Sequence, residues 1–317
     1  MKRTSGKIKV LVIDDPKIDG VGWWRNLEPF TALEKMYGAS LEIIFETEKI
    51  DLRKLKAADV VVRFRPITRD AFDFLEMAKN MGCKVIVDID DDLWHLPPSH
   101  PGFGDWMKHR DNLRRVYEIA DKIWVSTDQL RYAVGDLERC EVMPNAVLLE
   151  QLPEHPMPYK GIAAWRGNDR QIADILDSAA RAAYLDAREK YEQWIFFGYF
   201  PDLPHLKNAK FVPGVDPLAY FLSLQNGFAN VLWKPLQENL FNDSKSNIAW
   251  IEATMSGGVC VTNYAGKPGW EFALADFPTD EATVHGQFYL SREHILKHYN
   301  LLEVTERRFE SITELVK

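Results

Sequence analysis

Lys245 and Glu252 stand seven positions apart in a run that begins Asn242-Asp243-Ser244-Lys245-Ser246 and ends Ser256-Gly257-Gly258. Asn242, Asp243 or Ser244 can accept from the free N–H groups of a first helical turn, and the two glycines can stop a helix. The pattern predicts a helix over residues 244–256. Seven residues are close to two turns, which sets both charges on one face, roughly 10 Å apart along the axis. A helix N-terminus with a lysine attracts phosphate, and a carboxylate two turns on accepts from ribose hydroxyls. A nucleoside diphosphate has those two ends. A solvated helix face with two unrelated charges fits the spacing as well.

Other stretches carry candidate chemistry. Asp88-Ile89-Asp90-Asp91-Asp92-Leu93-Trp94-His95 follows the apolar run Lys84-Val85-Ile86-Val87, so its acids fall at the carboxyl end of a predicted strand, where open α/β sheets collect ligands. It matches a D-x-D metal pattern, but short acidic patterns recur by chance, and a hydrogen-bond-accepting site or a plain acidic loop is the preferred reading. Gly20-Val21-Gly22-Trp23-Trp24-Arg25 reads as a loop that lets backbone approach a ligand, with Arg25 opening a helix over residues 25–37. It fails as a dinucleotide fingerprint, because the third glycine position is Arg25. The Asp14-Asp15 pair invites a phospho-receiver reading, which fails because the third predicted strand ends in Arg63-Phe64-Arg65.

These residues need a scaffold. Strand-like runs alternate with helical ones twice along the 317 residues, and Pro153, Pro156 and Pro158 punctuate the stretch 149–158 between the two series. The expectation is an α/β protein of two Rossmann-like parallel-sheet domains facing a cleft. The N-terminal domain takes residues 1–152, a linker 153–160 and the C-terminal domain 161–317, with room for the last helix to pack back on the first domain. Expected helices include 170–184 and a charged final segment, 290–317. A net charge of -8 gives no global attraction to nucleic acid or anionic membrane. Three dispersed cysteines suggest neither a disulfide framework nor a zinc site. No membrane span or leader is read, so a cytoplasmic location is expected.

In series these pieces resemble the GT-B glycosyltransferases, and within them the retaining class related to bacterial mannosyltransferases and glycogen synthase. The resemblance is carried by 235–246, Glu252-Ala253, Gly257-Gly258-Val259, Gly20-Val21-Gly22, Asp88-Ile89-Asp90, Ala120-Asp121-Lys122 and Met143-Pro144-Asn145-Ala146. It implies a nucleotide-diphosphate sugar as donor, with no tightly bound cofactor and no required metal. Glu252 would bind the donor ribose, and Lys245 and Arg166 the pyrophosphate. Gly167, Asn242 and Ser246 would stand beside them, with Gly20, Gly22 and Arg25 approaching from the opposite domain. An inverting reaction would need a base from Asp90, Asp92 or His95, whereas front-side retention lets the leaving phosphate take the acceptor proton. The family often has a second glutamate where Ser244 stands here. The acceptor would be a glycan, or hydroxymethylated DNA for a short phage-type member; the acidic balance argues against DNA, and a basic cleft rim built from Arg63, Arg65, Arg110, Arg114 and Arg115 would argue for it. A non-catalytic nucleotide or carbohydrate-binding protein and a sugar epimerase on the same fold are the alternatives.

Overall fold

The structure is a computed structural model that describes residues 6–13, 20–46, 51–204, 208–214 and 216–317. Asp14, Asp15 and Asp19 lie outside the described residues. Two all-parallel sheets organise the chain. The first orders its strands β2-β1-β3-β4-β5-β6, from β1 (Ile8–Ile13), β2 (Leu41–Glu46), β3 (Val60–Phe64), β4 (Lys84–Ile89), β5 (Lys122–Val125) and β6 (Cys140–Val142). The second runs β11-β10-β7-β8-β9, from β7 (Ile162–Arg166), β8 (Gln193–Gly198), β9 (Ala209–Pro213), β10 (Val231–Trp233) and β11 (Val259–Val261). Helices cover both faces of each sheet, which is why central strands such as Lys84-Val85-Ile86-Val87 are apolar without alternation.

Two crossings join the sheets and pair with each other. Val147 N–H donates to the Tyr299 carbonyl at 3.0 Å, and Leu301 N–H to the Val147 carbonyl at 3.0 Å. After the second crossing the helix Leu301–Val316 lies on the helix Glu28–Tyr37 of the first unit, with Tyr37 and Phe309 stacked at 3.9 Å. Ile312 of that helix joins a core of Val10, Val12, Phe30 and Trp124.

One expected loop and three expected helices change shape. The segment predicted as a loop over 20–24 is helical, and residues Trp23–Leu27 form a π-turn. The extra residue of a π-turn rotates the side chains that follow it. Trp23 and Trp24 meet Phe221 of the second unit, with ring centroids 4.9 and 5.1 Å away, so they pack between the two units. The helix expected over 170–184 breaks at Asp177, which caps Ser178–Ala187. The final segment divides into Glu281–His298 and Leu301–Val316 at the second crossing. The helix expected over 244–256 starts at Ile248, after a separate turn Leu240–Asp243 capped by Asn239. Its start is displaced because the Ser244 carbonyl, which would close the first turn, accepts at 2.9 Å from the Thr127 hydroxyl of the other unit. The stop falls as expected, with Gly257 at φ +77 where a Cβ would press on the Met157 backbone.

Candidate active site

The carboxyl ends of β3, β4, β7 and β10 converge on a cavity of 480 Å³ between the two sheets. Its C-terminal wall is built from Arg166 at the end of β7, Lys234 just after β10, the irregular segment with Lys245 and Ser246, and Glu252 in the helix Ile248–Met255. Its opposite wall carries Gly20, Arg65, Asp90, Asp91 and His100. Lys245 and Glu252 thus share a cavity, though not a helix. Lys245 also lines an adjoining polar cavity of 740 Å³ toward the crossings, bounded by Thr127, His294, Tyr299 and Arg307.

Glu252 is 1% exposed and is held from one side only. Its Oε2 accepts from Arg166 Nε at 3.2 Å, from Arg166 Nη2, and from the Tyr220 hydroxyl at 3.0 Å. Oε1 has no protein hydrogen bond among the described residues, leaving a buried carboxylate with one oxygen open to the cavity. Burial works against the Arg166 charge, but Glu252 and Tyr220 more than offset it and raise its pKa. Gly167 follows Arg166 because a Cβ there would sit 2.4 Å from the Trp165 ring.

Lys245 reaches across the cleft, with Nζ 3.2 Å from Asp91 Oδ1 and 4.2 Å from the centre of the Phe241 ring. Arg65 clasps both neighbouring acids, with Nη2 2.7 Å from Asp90 Oδ2 and 2.6 Å from Asp91 Oδ2, and Nε on Asp90 Oδ1. Its backbone is at φ 42, a left-handed conformation that costs a non-glycine residue about 1–3 kcal/mol. Burial pushes the Asp90 carboxyl up to about 6, with Arg65 opposing and Asp91 reinforcing. For Asp91, burial is outweighed by Lys245 and Arg65, which draw it down to about 2.

Several residues that the sequence marks as candidates are placed elsewhere by the fold. Arg25 is 0% exposed and donates to Asp88 Oδ1 at 2.9 and 2.7 Å and to the Met143 carbonyl, so it braces the first unit and does not face the cavity. Gly22 is buried in the helical first turn. Asp92, 2% exposed, pairs with His95 Nδ1 at 2.7 Å, and neither lines the cavity. Asn242 lines it, and its amide already donates to Asp174 Oδ1 of the helix Ile172–Leu176 and to the Gln237 carbonyl, both at 2.9 Å. Of the five arginines of the expected basic rim, Arg65 alone lines the cavity. Arg63 lies over Phe74, Arg115 over Phe72 and Arg110 over Trp94, while Arg114 pairs with Glu118. Among the described residues no cluster of three or more His, Cys, Asp or Glu has metal-site geometry, and no helix is long and apolar enough to cross a membrane.

Lys234, Tyr220, Asp174 and His100 line the cavity, and the sequence does not single them out. Lys234 directly follows a predicted strand, so the rule that marks Arg166 also marks it. The other three sit in two helices and a loop, and only packing brings them here.

No family model matches the chain, and no curated protein sequence matches it. Solved structures do. TarM matches with a TM-score of 0.57 at 13% identity, over 81% of this chain and 55% of TarM, so the chain spans about half of that protein. The lipopolysaccharide outer core galactosyltransferase WaaB matches at 0.56 and 12% identity, over 97% of this chain and 99% of WaaB. AviGT4, a glycosyltransferase involved in avilamycin A biosynthesis, matches at 0.53 and 12% identity, over 98% of both chains. Two all-parallel sheets, a cleft between their carboxyl ends, paired crossings and a final helix returning to the first sheet are thus the GT-B glycosyltransferase fold.

Proposed function

We propose that this chain is a glycosyltransferase that moves a sugar from a nucleotide-diphosphate donor to an acceptor hydroxyl with retention. The observation that carries the reading is Glu252, a buried carboxylate with one oxygen open to a cavity that Arg166, Lys234 and Lys245 also line. Glu252 accepts from the donor ribose hydroxyls, and Arg166 and Lys245 hold the pyrophosphate. The fold supports this, and so does the crystal structure of an S. aureus TarM variant in complex with fondaparinux, alpha-GlcNAc-glycerol and UDP.

In the reaction the bond between the sugar C1 and the β-phosphate oxygen breaks as the acceptor oxygen bonds to C1. The sugar takes on oxocarbenium character, and negative charge gathers on the departing diphosphate, where Arg166 and Lys245 stabilise it. The acceptor proton passes to a phosphate oxygen on the same face. Retention is favoured over inversion because both oxygens of Asp90 are held by Arg65, and Asp92 and His95 lie outside the cavity. We assign the first unit, residues 1–152, to the acceptor side and 161–317 to the donor side, and the acceptor to a glycan.

Release of nucleoside diphosphate from a panel of nucleotide sugars, with anomeric analysis of the product, tests the reading. Turnover with at least one donor, lost in Glu252→Ala, is expected. Tight nucleotide binding with no turnover on any donor moves the chain to the non-catalytic binding class.

A further inference from the structure

The cations that line the 480 Å³ cavity are not equivalent. Arg65 is held by Asp90 and Asp91, Arg166 by Glu252, and Lys245 by Asp91. Each of these must share or give up a protein carboxylate before it can serve a phosphate fully. Lys234 is different. Its backbone N–H is committed to the Val261 carbonyl at 2.8 Å, which extends the pairing of β10 with β11 by one residue and fixes Lys234 at the carboxyl edge of the sheet. Its half-buried side chain lines the cavity, and among the described residues the ammonium has no hydrogen bond and no ion pair. Arg170, also on the lining, is exposed.

We propose that Lys234 is an anion-binding residue of the donor site and carries more of the diphosphate affinity than Lys245, because no protein carboxylate competes for it. The assignment rests on the donor-site reading above. Its surroundings agree with it. Burial first, then Lys245 and Arg166, push the Lys234 ammonium down to about 8, with Asp174 and Glu252 pulling the other way. Cys260 lies near it, and burial keeps that thiol protonated. An ammonium short of counter-charge is the group that gains most when an anion arrives. Bound phosphate adds negative charge beside it and holds it protonated to higher pH.

The test is calorimetric titration of UDP, GDP, ADP and inorganic pyrophosphate into the wild type, Lys234→Met, Lys234→Arg and Lys245→Met, with circular dichroism confirming that each variant is folded. Lys234→Met is expected to weaken pyrophosphate and the bound nucleoside diphosphate roughly 10- to 100-fold, with uridine, guanosine or adenosine affinity unchanged. Lys245→Met is expected to lose less, and Lys234→Arg to stay within a few-fold of the wild type. Pyrophosphate affinity of the wild type is expected to fall as pH rises through about 8, and that fall to vanish in Lys234→Met. Unchanged binding by Lys234→Met, or a larger loss in Lys245→Met, overturns the proposal. If pyrophosphate binds through Lys234 but no nucleotide binds the wild type, the nucleotide reading fails and the Lys234 assignment stands. Nucleotide binding that ignores Lys234 gives the reverse.

Discussion

In the N-terminal unit Arg25 meets Asp88 at 2.7 Å with both side chains 0% exposed, while in the C-terminal unit Arg166 meets Glu252 with side chains 34% and 2% exposed. Asp88 lies at the carboxyl end of β4 and Glu252 in the helix Ile248–Met255, and both pairs have a third member. For the first it is Arg308 of the returning helix, whose Nη2 lies 3.6 Å from Asp88 Oδ2. For the second it is the Tyr220 hydroxyl. The first cluster has no opening and serves to fasten the final helix to the first sheet, with Arg308 Nη1 donating to the Arg25 carbonyl at 3.0 Å. The second opens on a cavity. An ion pair closed on all sides acts on stability, and the same pair with one free face is available to a ligand.

Substitutions that separate the two clusters test this contrast. Arg25→Met leaves the fully buried Asp88 with one distant partner and is expected to cost about 3–5 kcal/mol in urea denaturation, with nucleotide affinity of the folded protein unchanged. Arg308→Met is expected to cost less, because two guanidiniums share one carboxylate there and burial with Arg25 already pushes Arg308 down to about 9. A loss below about 1 kcal/mol for Arg25→Met would remove the structural role. At the open cluster, Glu252→Gln is expected to weaken nucleotide binding roughly 10-fold, as charge-assisted hydrogen bonds to ribose are lost, with a smaller stability cost than Arg25→Met. A variant that unfolds yet binds normally when folded would place Glu252 with the structural pair.

Glu28 extends the comparison to pH. Burial pushes its carboxyl up to about 7, opposed by the hydrogen bond it accepts from Gln151. The folded state therefore binds this proton more tightly than the unfolded chain. Its contribution to stability is full below the ordinary glutamate range and is lost as pH rises through about 7. Glu28→Gln is expected to flatten that slope between pH 5 and 8 in thermal melts, and an unchanged slope would place the titration elsewhere. The smallest effect belongs to the cross-cleft pair. Asp91→Asn is expected to change stability by no more than about 1 kcal/mol, because both partners are partly solvated, and to tighten diphosphate binding by freeing Lys245.

Much of the fold could be read from the chain because β-branched runs such as Lys84-Val85-Ile86-Val87 and Val259-Cys260-Val261 mark buried parallel strands, and the prolines at 153, 156 and 158 mark the connection between the two series. The neighbourhood of Glu252 and Arg166 was legible for the same reason, since strand ends collect ligands. What stayed hidden depended on long-range partners. Nothing near Arg25 in sequence announces Asp88, 63 positions away, so a buried brace and an anion-binding arginine look alike. The start of the Ile248–Met255 helix is set by the Thr127 hydroxyl, 117 positions away. The sequence marks His95 and not His100, yet the turn after β4 brings His100 to the cavity and leaves His95 on Asp92.

The central claim is that the open face of Glu252 belongs to a nucleotide-sugar site. Thermal melts of the wild type and Glu252→Ala against UDP-, GDP-, ADP- and dTDP-sugars test it most directly, because a ligand bound only by the folded state raises the melting temperature in proportion to RT ln(1 + [L]/Kd). At least one donor class is expected to stabilise the wild type and to lose most of that effect in Glu252→Ala. Stabilisation by none of them, or equal stabilisation of both proteins, would contradict the claim.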